Sequence, residues 1–357
     1  MKLKEILDDY VSRDLIKSTS NGELTIYNYS QKTQFAGCYW DYYTLMARGL
    51  ILDNDSNIIA RPFKKFFNFN ERPETSATQL PLDKPEASVK LDGSLIIAYK
   101  WKGEWKLATK GSFNSEQAIE SMKILKEKHA DTNFDKYSDL TLLFECIYDS
   151  NRIVINYENH RDLYLIGAVD KIGGYEYSYE EVHVIANELG FTVPNYFINS
   201  FDEVFELVKL DIKNTEGYVV YWPKTGLRMK IKTADYIRLH KLITGLSDKT
   251  IWEYLKDGKN PDDMLKDMPD EFFSWYNHSK KVLLDKYSDI EKSAKDVFER
   301  CPKFGKRKEY AEWIKKESKD TTEAGIIFSM LDNRKYDNKI WKLLEPVGAR
   351  YATKNHD

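Results

Sequence analysis

From Leu24 to Lys232 the chain is dominated by short runs in which apolar residues alternate with polar ones or cluster between turn-formers. Such runs occupy residues 24–29, 50–53, 94–99, 105–109, 141–147, 163–169, 217–222 and 227–231. Successive side chains of an extended chain point to opposite faces, so alternation buries one face and wets the other, as in half-buried antiparallel strands. Trp101-Lys102-Gly103-Glu104 separates two of these runs and reads as a hairpin loop. Helical periodicity breaks in at 115–129, with Ser115 as N-cap, and at 179–189. The mixture specifies an α+β fold, with helices laid on antiparallel sheets.

The pattern changes near Tyr236. Beyond Leu246 no run has the character of a strand. Ser247 precedes a capped helix start at Asp248, residues 257–261 form a turn, and helical periodicity covers 271–285, 290–299, 307–317 and 322–331. A boundary near 240 therefore divides the chain into a sheet domain, 1–240, and a small all-α domain, 241–357. The length of 357 residues suits two domains, and 42% hydrophobic with 31% charged residues is a globular composition. No apolar run approaches the roughly 20 residues of a membrane span. The first ten residues carry acids and no apolar core, so no secretory leader is expected. Cys38, Cys146 and Cys301 form no paired framework and the six histidines no zinc spacing, consistent with reduced thiols in a cytoplasm. A net charge of −3 excludes a uniformly basic surface but not a basic cleft.

Four segments carry chemistry. Lys90-Leu91-Asp92-Gly93-Ser94-Leu95 places a lysine at the end of one apolar run and a Gly-Ser turn before the next. Glycine permits close backbone approach to a ligand, and a lysine there is a nucleophile once neighbours favour its neutral amine. The same tetrad also occurs at surface hairpins. Glu216-Gly217-Tyr218 leads into a strand, and Lys230 and Lys232 are two apart in the next, so they share a face where two ammonium groups call for an anion. A solvated strand edge is the alternative. Glu145 is a carboxylate inside the apolar run Leu142-Leu143-Phe144-Glu145-Cys146-Ile147 and needs a partner if buried. Basic and aromatic residues interleave at Arg48-Gly49 and Arg61-Pro62-Phe63-Lys64-Lys65-Phe66-Phe67, which suits phosphates and bases.

Taken in order, Lys90-x-Asp-Gly-Ser, Phe144-Glu145, Glu216-Gly217-Tyr218 and Lys230-x-Lys232 resemble the motif set of covalent nucleotidyltransferases: DNA ligases, RNA ligases and capping enzymes. The chain most resembles the bacteriophage T4 RNA ligase 1 family, from Tyr27 to His240. The likeness extends to Arg48-Gly49, Lys65-Phe66-Phe67-Asn68, Lys110-Gly111-Ser112, Asn151-Arg152-Ile153-Val154 and Tyr236. It implies a nucleotidyltransferase (adenylation) domain and an ATP-dependent RNA ligase that joins a 5′-phosphate to a 3′-hydroxyl through enzyme-AMP and RNA-adenylate.

By the same resemblance Lys90 takes AMP from ATP, and Lys230 and Lys232 grip the α-phosphate. Arg48, Lys65 and Lys110 contact the triphosphate. Glu145 binds the ribose, Glu216 holds Mg2+ (or Mn2+), and Tyr236 lies near the nucleotide. Lys230, Lys232 and the metal are expected to favour the neutral amine of Lys90. The implied partners are RNA ends, single-stranded or at breaks in a tRNA anticodon loop. The implied setting is RNA repair by a monomer, away from membranes, in a cytoplasm (the host's for a phage protein). A capping-type enzyme or DNA ligase would carry an oligonucleotide-binding β-barrel where this chain turns helical. A protein that only binds RNA ends is the remaining alternative. In the helical domain, a possible RNA-specificity module, Lys303, Lys306, Arg307 and Lys308 form the densest basic stretch.

Overall fold

The computed structural model describes residues 2–151, 154–158, 160–210, 212–244, 247–267 and 273–346. The chain forms two compact units, Met1–Ile243 and Thr244–Asp357.

The first unit contains three sheets. The first is an antiparallel meander of β1 (Ile16–Ser20), β2 (Leu24–Tyr29), β3 (Arg48–Asp53) and β4 (Ile58–Ala60). Helices α1 (Leu3–Ser12) and α3 (Tyr42–Met46) cover its outer face, where Leu7 and Met46 pack on Ile16, Tyr27, Leu50 and Leu52; α2 (Gln31–Ala36) lies in the connection before α3. The second sheet has the order β10-β9-β7-β8, from β7 (Ser94–Trp101), β8 (Glu104–Ala108), β9 (Leu140–Ile147) and β10 (Asp162–Asp170). Strand β9 is buried on both faces. Leu142, Phe144 and Cys146 pack with Ile124 of α4 (Glu116–Lys128) and Val182 and Ile185 of α5 (Tyr179–Leu189), while Leu143 packs with Ile26 and Ile51 of the first sheet. Double burial explains why this run is nearly continuous in apolar residues instead of alternating.

The third sheet has the order β11-β6-β12-β13-β5, from β5 (Phe67–Asn68), β6 (Glu86–Val89), β11 (Tyr196–Ile198), β12 (Gly217–Trp222) and β13 (Leu227–Lys232). All its pairings are antiparallel except β5 with β13. Its outer face, with Ala87, Tyr218, Val220, Trp222, Met229 and Ile231, is sealed by Val204 of α6 (Phe201–Lys209). Period-two alternation then turns Ser88, Val219, Lys230 and Lys232 to the inner face. The unit closes with α7 (Ala234–Thr244), which carries Tyr236 and His240.

Local signals behave as their chemistry demands. Ser115 Oγ accepts from the Ala118 amide at 3.2 Å and starts α4. Trp101 pairs with Glu104 across Lys102 and Gly103, whose φ values of 52° and 83° are both left-handed, as a two-residue hairpin turn requires.

The second unit is helical in its described residues: α8 (Asp248–Lys256), α9 (Phe273–Glu299), α10 (Arg307–Glu317), α11 (Thr321–Leu331) and α12 (Asp337–Leu343) around Ala294, Val297, Ile314, Ile326, Ile327 and Ile340. Ser247 Oγ accepts from the Thr250 amide at 3.2 Å, capping α8. The helices expected at 271–285 and 290–299 are one helix, α9; residues 271 and 272 lie outside the described residues. Lys286-Tyr287-Ser288-Asp289 holds no glycine or proline to stop it, and Tyr287 stays on the core side, 4.8 Å from the Trp341 ring.

Candidate active site

The inner face of the third sheet sets the catalytic candidates in rows. The Lys90 amide donates to the Gly217 carbonyl at 2.9 Å, and Gly217 is opposite Lys232. In the next row Val219 is opposite both Ser88 and Lys230; in the third, Tyr221 is opposite both Glu86 and Arg228. Lys90 and Lys232, 142 residues apart in sequence, therefore flank one glycine. That glycine has φ +147°, and a Cβ on it would come within 2.0 Å of the Ile231 carbonyl oxygen, so no side chain fits between the two lysines.

Glu216 fills the space over this row. Its Oε1 accepts from Lys90 Nζ at 2.8 Å and from Lys232 Nζ at 3.0 Å. Glu216 is 2% exposed, and its second oxygen, Oε2, is buried with no hydrogen-bond partner. Leaving such an oxygen unsatisfied costs about 1–3 kcal/mol, which a metal-bound water, a cation or a hydroxyl would offset. The Glu216 carboxylate, expected from the sequence to hold the metal, thus stands between the ammonium groups of Lys90 and Lys232.

The turn after Lys90 is held by Asp92. Its buried carboxylate accepts from the Val154 and Ile155 amides, both at 2.9 Å on Oδ2, and from the Tyr236 hydroxyl at 2.9 Å on Oδ1. The Asp92 amide donates to the Tyr157 hydroxyl at 2.7 Å. Charge-assisted bonds of this kind are about twice as strong as neutral ones. Tyr236 thus reaches the site through Asp92, with its ring packed on Val154 and Ile155. Of the segment 151–154, residues 152 and 153 lie outside the described residues. Asn151 bonds Ser94 Oγ, donating from Nδ2 at 2.9 Å, which pins the start of β7.

Glu145 shares the inner face of β9 with Leu143 and is half-buried. Its Oε1 accepts from the Gly93 amide at 3.1 Å. Burial pushes its carboxyl up to about 7 against the opposing pull of the Lys90 ammonium, and Glu216 adds to the rise. A Cβ on Gly93 would lie 2.5 Å from the Cys146 carbonyl oxygen and 3.2 Å from Glu145 Cγ, so glycine is what lets the turn approach β9.

Arg48, Lys65 and Lys110 gather in a second basic cluster. Lys65 is buried with its ammonium over the rings of Tyr29 at 5.3 Å, Phe67 at 5.4 Å and Trp40 at 5.7 Å; Lys110 Nζ is 5.8 Å from the same Tyr29 ring. The Arg48 guanidinium lies 5.2 Å over Phe66. Next to it, Gly49 (φ +94°) lies so close to Lys110 that a Cβ would be 2.9 Å from its Cα. Strand β5 ties this cluster to the first, since Phe67 pairs with Met229 and Asn68 with Lys230. Sequence reasoning assigned no role to Asp92, although it lay within the quoted hexapeptide, and none to Tyr157, whose partner is 65 residues away.

Among the described residues no group of three or more His, Cys, Asp or Glu side chains is placed to hold a metal. The orphaned Glu216 Oε2 fits a cation whose remaining ligands come from substrate oxygens and water. A family model described as RNA ligase, of the T4 RNA ligase 1 type, matches residues 46–236, more than half of the chain and the whole of this site. The chain belongs to the RNA ligase family. An RNA ligase of Rhodothermus phage RM378 is 26% identical over 364 aligned residues, covering 83% of this chain and 80% of the phage protein. A protein of Autographa californica nuclear polyhedrosis virus, named for polynucleotide kinase and RNA ligase together, is 29% identical over 66% of this chain, which spans 35% of that protein's length. An archaeal ATP-dependent RNA ligase structure shares the fold at a TM-score of 0.50 and 12% identity, covering 93% of this chain and 96% of that one. Among the described residues no helix is long and apolar enough to cross a membrane.

Proposed function

We propose that this member of the RNA ligase family is an ATP-dependent RNA ligase that joins a 5′-phosphate to a 3′-hydroxyl through enzyme-AMP and RNA-adenylate. The observation that carries the reading is the Lys90–Glu216–Lys232 constellation, with two ammonium groups on one buried carboxylate oxygen and the other oxygen unpaired. Lys90 Nζ attacks the α-phosphorus of ATP and forms a P–N bond as the bond to pyrophosphate breaks, leaving AMP on the lysine. The AMP then passes to the 5′-phosphate of RNA, and a 3′-hydroxyl displaces it to make the phosphodiester. Such transfers are accelerated mainly by positioning and charge neutralisation.

Lys232 and Lys230, one row apart on the face of Lys90, hold the α-phosphate in this reading. Arg48, Lys65 and Lys110 take the pyrophosphate portion, which agrees with their separate basic cluster. Glu145 binds the ribose, with the Gly93 amide fixing one carboxyl oxygen. Tyr236 acts at one remove, by holding Asp92 and thereby the turn after Lys90. Glu216, through Oε2, holds a divalent cation, Mg2+ or Mn2+. That cation supplies neutralisation of phosphate charge. The helical unit, 244–357, serves RNA selection, with Lys303, Lys306 and Lys308 as phosphate contacts; the substrates are single-stranded ends or tRNA anticodon-loop breaks met in RNA repair, in a cytoplasm, with the chain acting as a monomer.

The test is incubation of the protein with magnesium and ATP labelled at the α-phosphate, beside Lys90→Ala, after a pyrophosphate chase to strip any AMP already bound. Label on the wild type alone, released by pyrophosphate, and sealing of 5′-phosphorylated RNA are expected. Equal labelling of Lys90→Ala removes Lys90 as the nucleophile. No label on either protein overturns the enzymatic reading in favour of simple RNA-end binding.

A further inference from the structure

A recess adjoins the second basic cluster, sharing Lys65 with it, at the hairpin end of β12 and β13. It has a volume of about 420 Å³, within the roughly 300–1,000 Å³ of ligand sites. Its walls come from five separated stretches: Leu45, Lys64-Lys65-Phe66-Phe67, Glu74-Thr75, the turn Gly174-Tyr175-Glu176, and the hairpin that carries Lys224; the Glu74 carboxylate meets the Arg72 guanidinium at 3.7 Å. The recess is continuous with the nucleotide site in two ways. Phe66, under the Arg48 guanidinium, is a shared wall. Arg228, which also lines it, shares the inner face of β13 with Lys230 and Lys232, about 13 Å from Lys232 at some 3.3 Å of rise per residue.

The lining has the chemistry of a single-strand site. Tyr175 is 54% exposed, yet its ring is held: the hydroxyl donates to Glu181 Oε2 at 3.1 Å, and the ring packs edge-on against Tyr177 at 5.1 Å. An exposed aromatic ring held in place is a stacking platform, and every base has a face to stack on it. Lys64 has no carboxylate within ion-pair distance among the described residues, and its ammonium lies 5.6 Å over the Tyr42 ring. Lys224 is 81% exposed and meets Asp83 only at 4.0 Å. Arg228, by contrast, is buried between the rings of Phe63 at 3.9 Å and Tyr221 at 4.0 Å and is paired to Glu176 at 3.1 Å, so it is the floor of the recess and not a contact.

We propose that this recess binds the RNA strand next to the end being joined, stacking one base on Tyr175 and placing its phosphates against Lys64 and Lys224. This rests on the RNA ligase reading of the main site. The test uses the full chain, a fluorescent 5′-phosphorylated single-stranded RNA followed by anisotropy, and labelling with ATP alone as a control on the nucleotide site. Lys64→Ala/Lys224→Ala should lower the slope of log affinity against log salt by about 1.4, at roughly 0.7 per phosphate of a single strand. Tyr175→Ala should weaken RNA binding at least fivefold, as loss of one stack does, while Tyr175→Phe, which keeps the ring, should bind like the wild type. Labelling by ATP alone should be unchanged in all three. Wild-type RNA affinity and salt slope in both alanine variants overturn the proposal. If the wild type takes no label and seals no RNA, the ligase reading fails by itself, and the anisotropy arms still decide whether RNA occupies the recess.

Discussion

Replacing Tyr236 with phenylalanine removes one oxygen and leaves the ring against Val154 and Ile155. That oxygen donates to the buried Asp92 carboxylate at 2.9 Å, on the oxygen that the Val154 and Ile155 amides do not use. A hydrogen bond to a charged group contributes about 1.5–3 kcal/mol. Asp92 keeps its two amide donors, so the strain should appear as easier opening of the 154–155 segment and not as global unfolding. At 1.36 kcal/mol per factor of ten, the Val154 and Ile155 amides should exchange with solvent deuterium about 10- to 150-fold faster. Amides in the centre of β9 should be unaffected. A double-mutant cycle with Asp92→Ala isolates the bond: once Asp92 is gone, Tyr236→Phe should accelerate exchange no further. Unchanged exchange in the single variant, or full additivity in the cycle, would refute the claim that Tyr236 acts through Asp92.

Three further outcomes follow from the same geometry. Burial pushes the Glu145 carboxyl of the folded protein up to about 7 from its ordinary value of about 4.5, so the native state holds the proton longer and stability attributable to this group falls as pH rises from about 4.5 through 7. Glu145→Gln should therefore raise the melting temperature at pH 8 and leave it nearly unchanged at pH 4.5; an equal effect at both would show that the carboxyl is not so perturbed. Gly93→Ala would put a Cβ 2.5 Å from the Cys146 carbonyl oxygen, and overpacking of this kind costs about 1–3 kcal/mol, so urea denaturation should show that loss together with poor AMP transfer, whereas wild-type behaviour would mean the turn is free to move. Lys306, Arg307 and Lys308 replaced together by alanine should reduce the salt slope of RNA binding by about 1.4, two contacts' worth, because Arg307 is already paired to Asp332 at 2.8 Å; an unchanged slope removes this stretch from the interface.

Apolar runs of strand length at 24–29 and 217–222, bounded by turn-formers, placed β2 and β12 at their observed bounds, and the serine at 115 placed the start of α4, because these signals are local and their causes act within a few residues. Short strands such as β4 and β5 escaped, since two or three residues carry no period and exist only through pairing with a neighbour. The motif order from Lys90 to Lys232 was sufficient for the sequence by itself to point to the family, because each motif is a short local run and their order is a property of the linear chain. What joins them was decided in three dimensions. Gly217 had to be flanked by strands from both sides before Lys90 and Lys232 met on Glu216, and Asp92 had to meet Tyr236 across 144 residues. No spacing in a linear chain encodes such meetings. They depend on sheet register, and register is set by which faces the whole core buries.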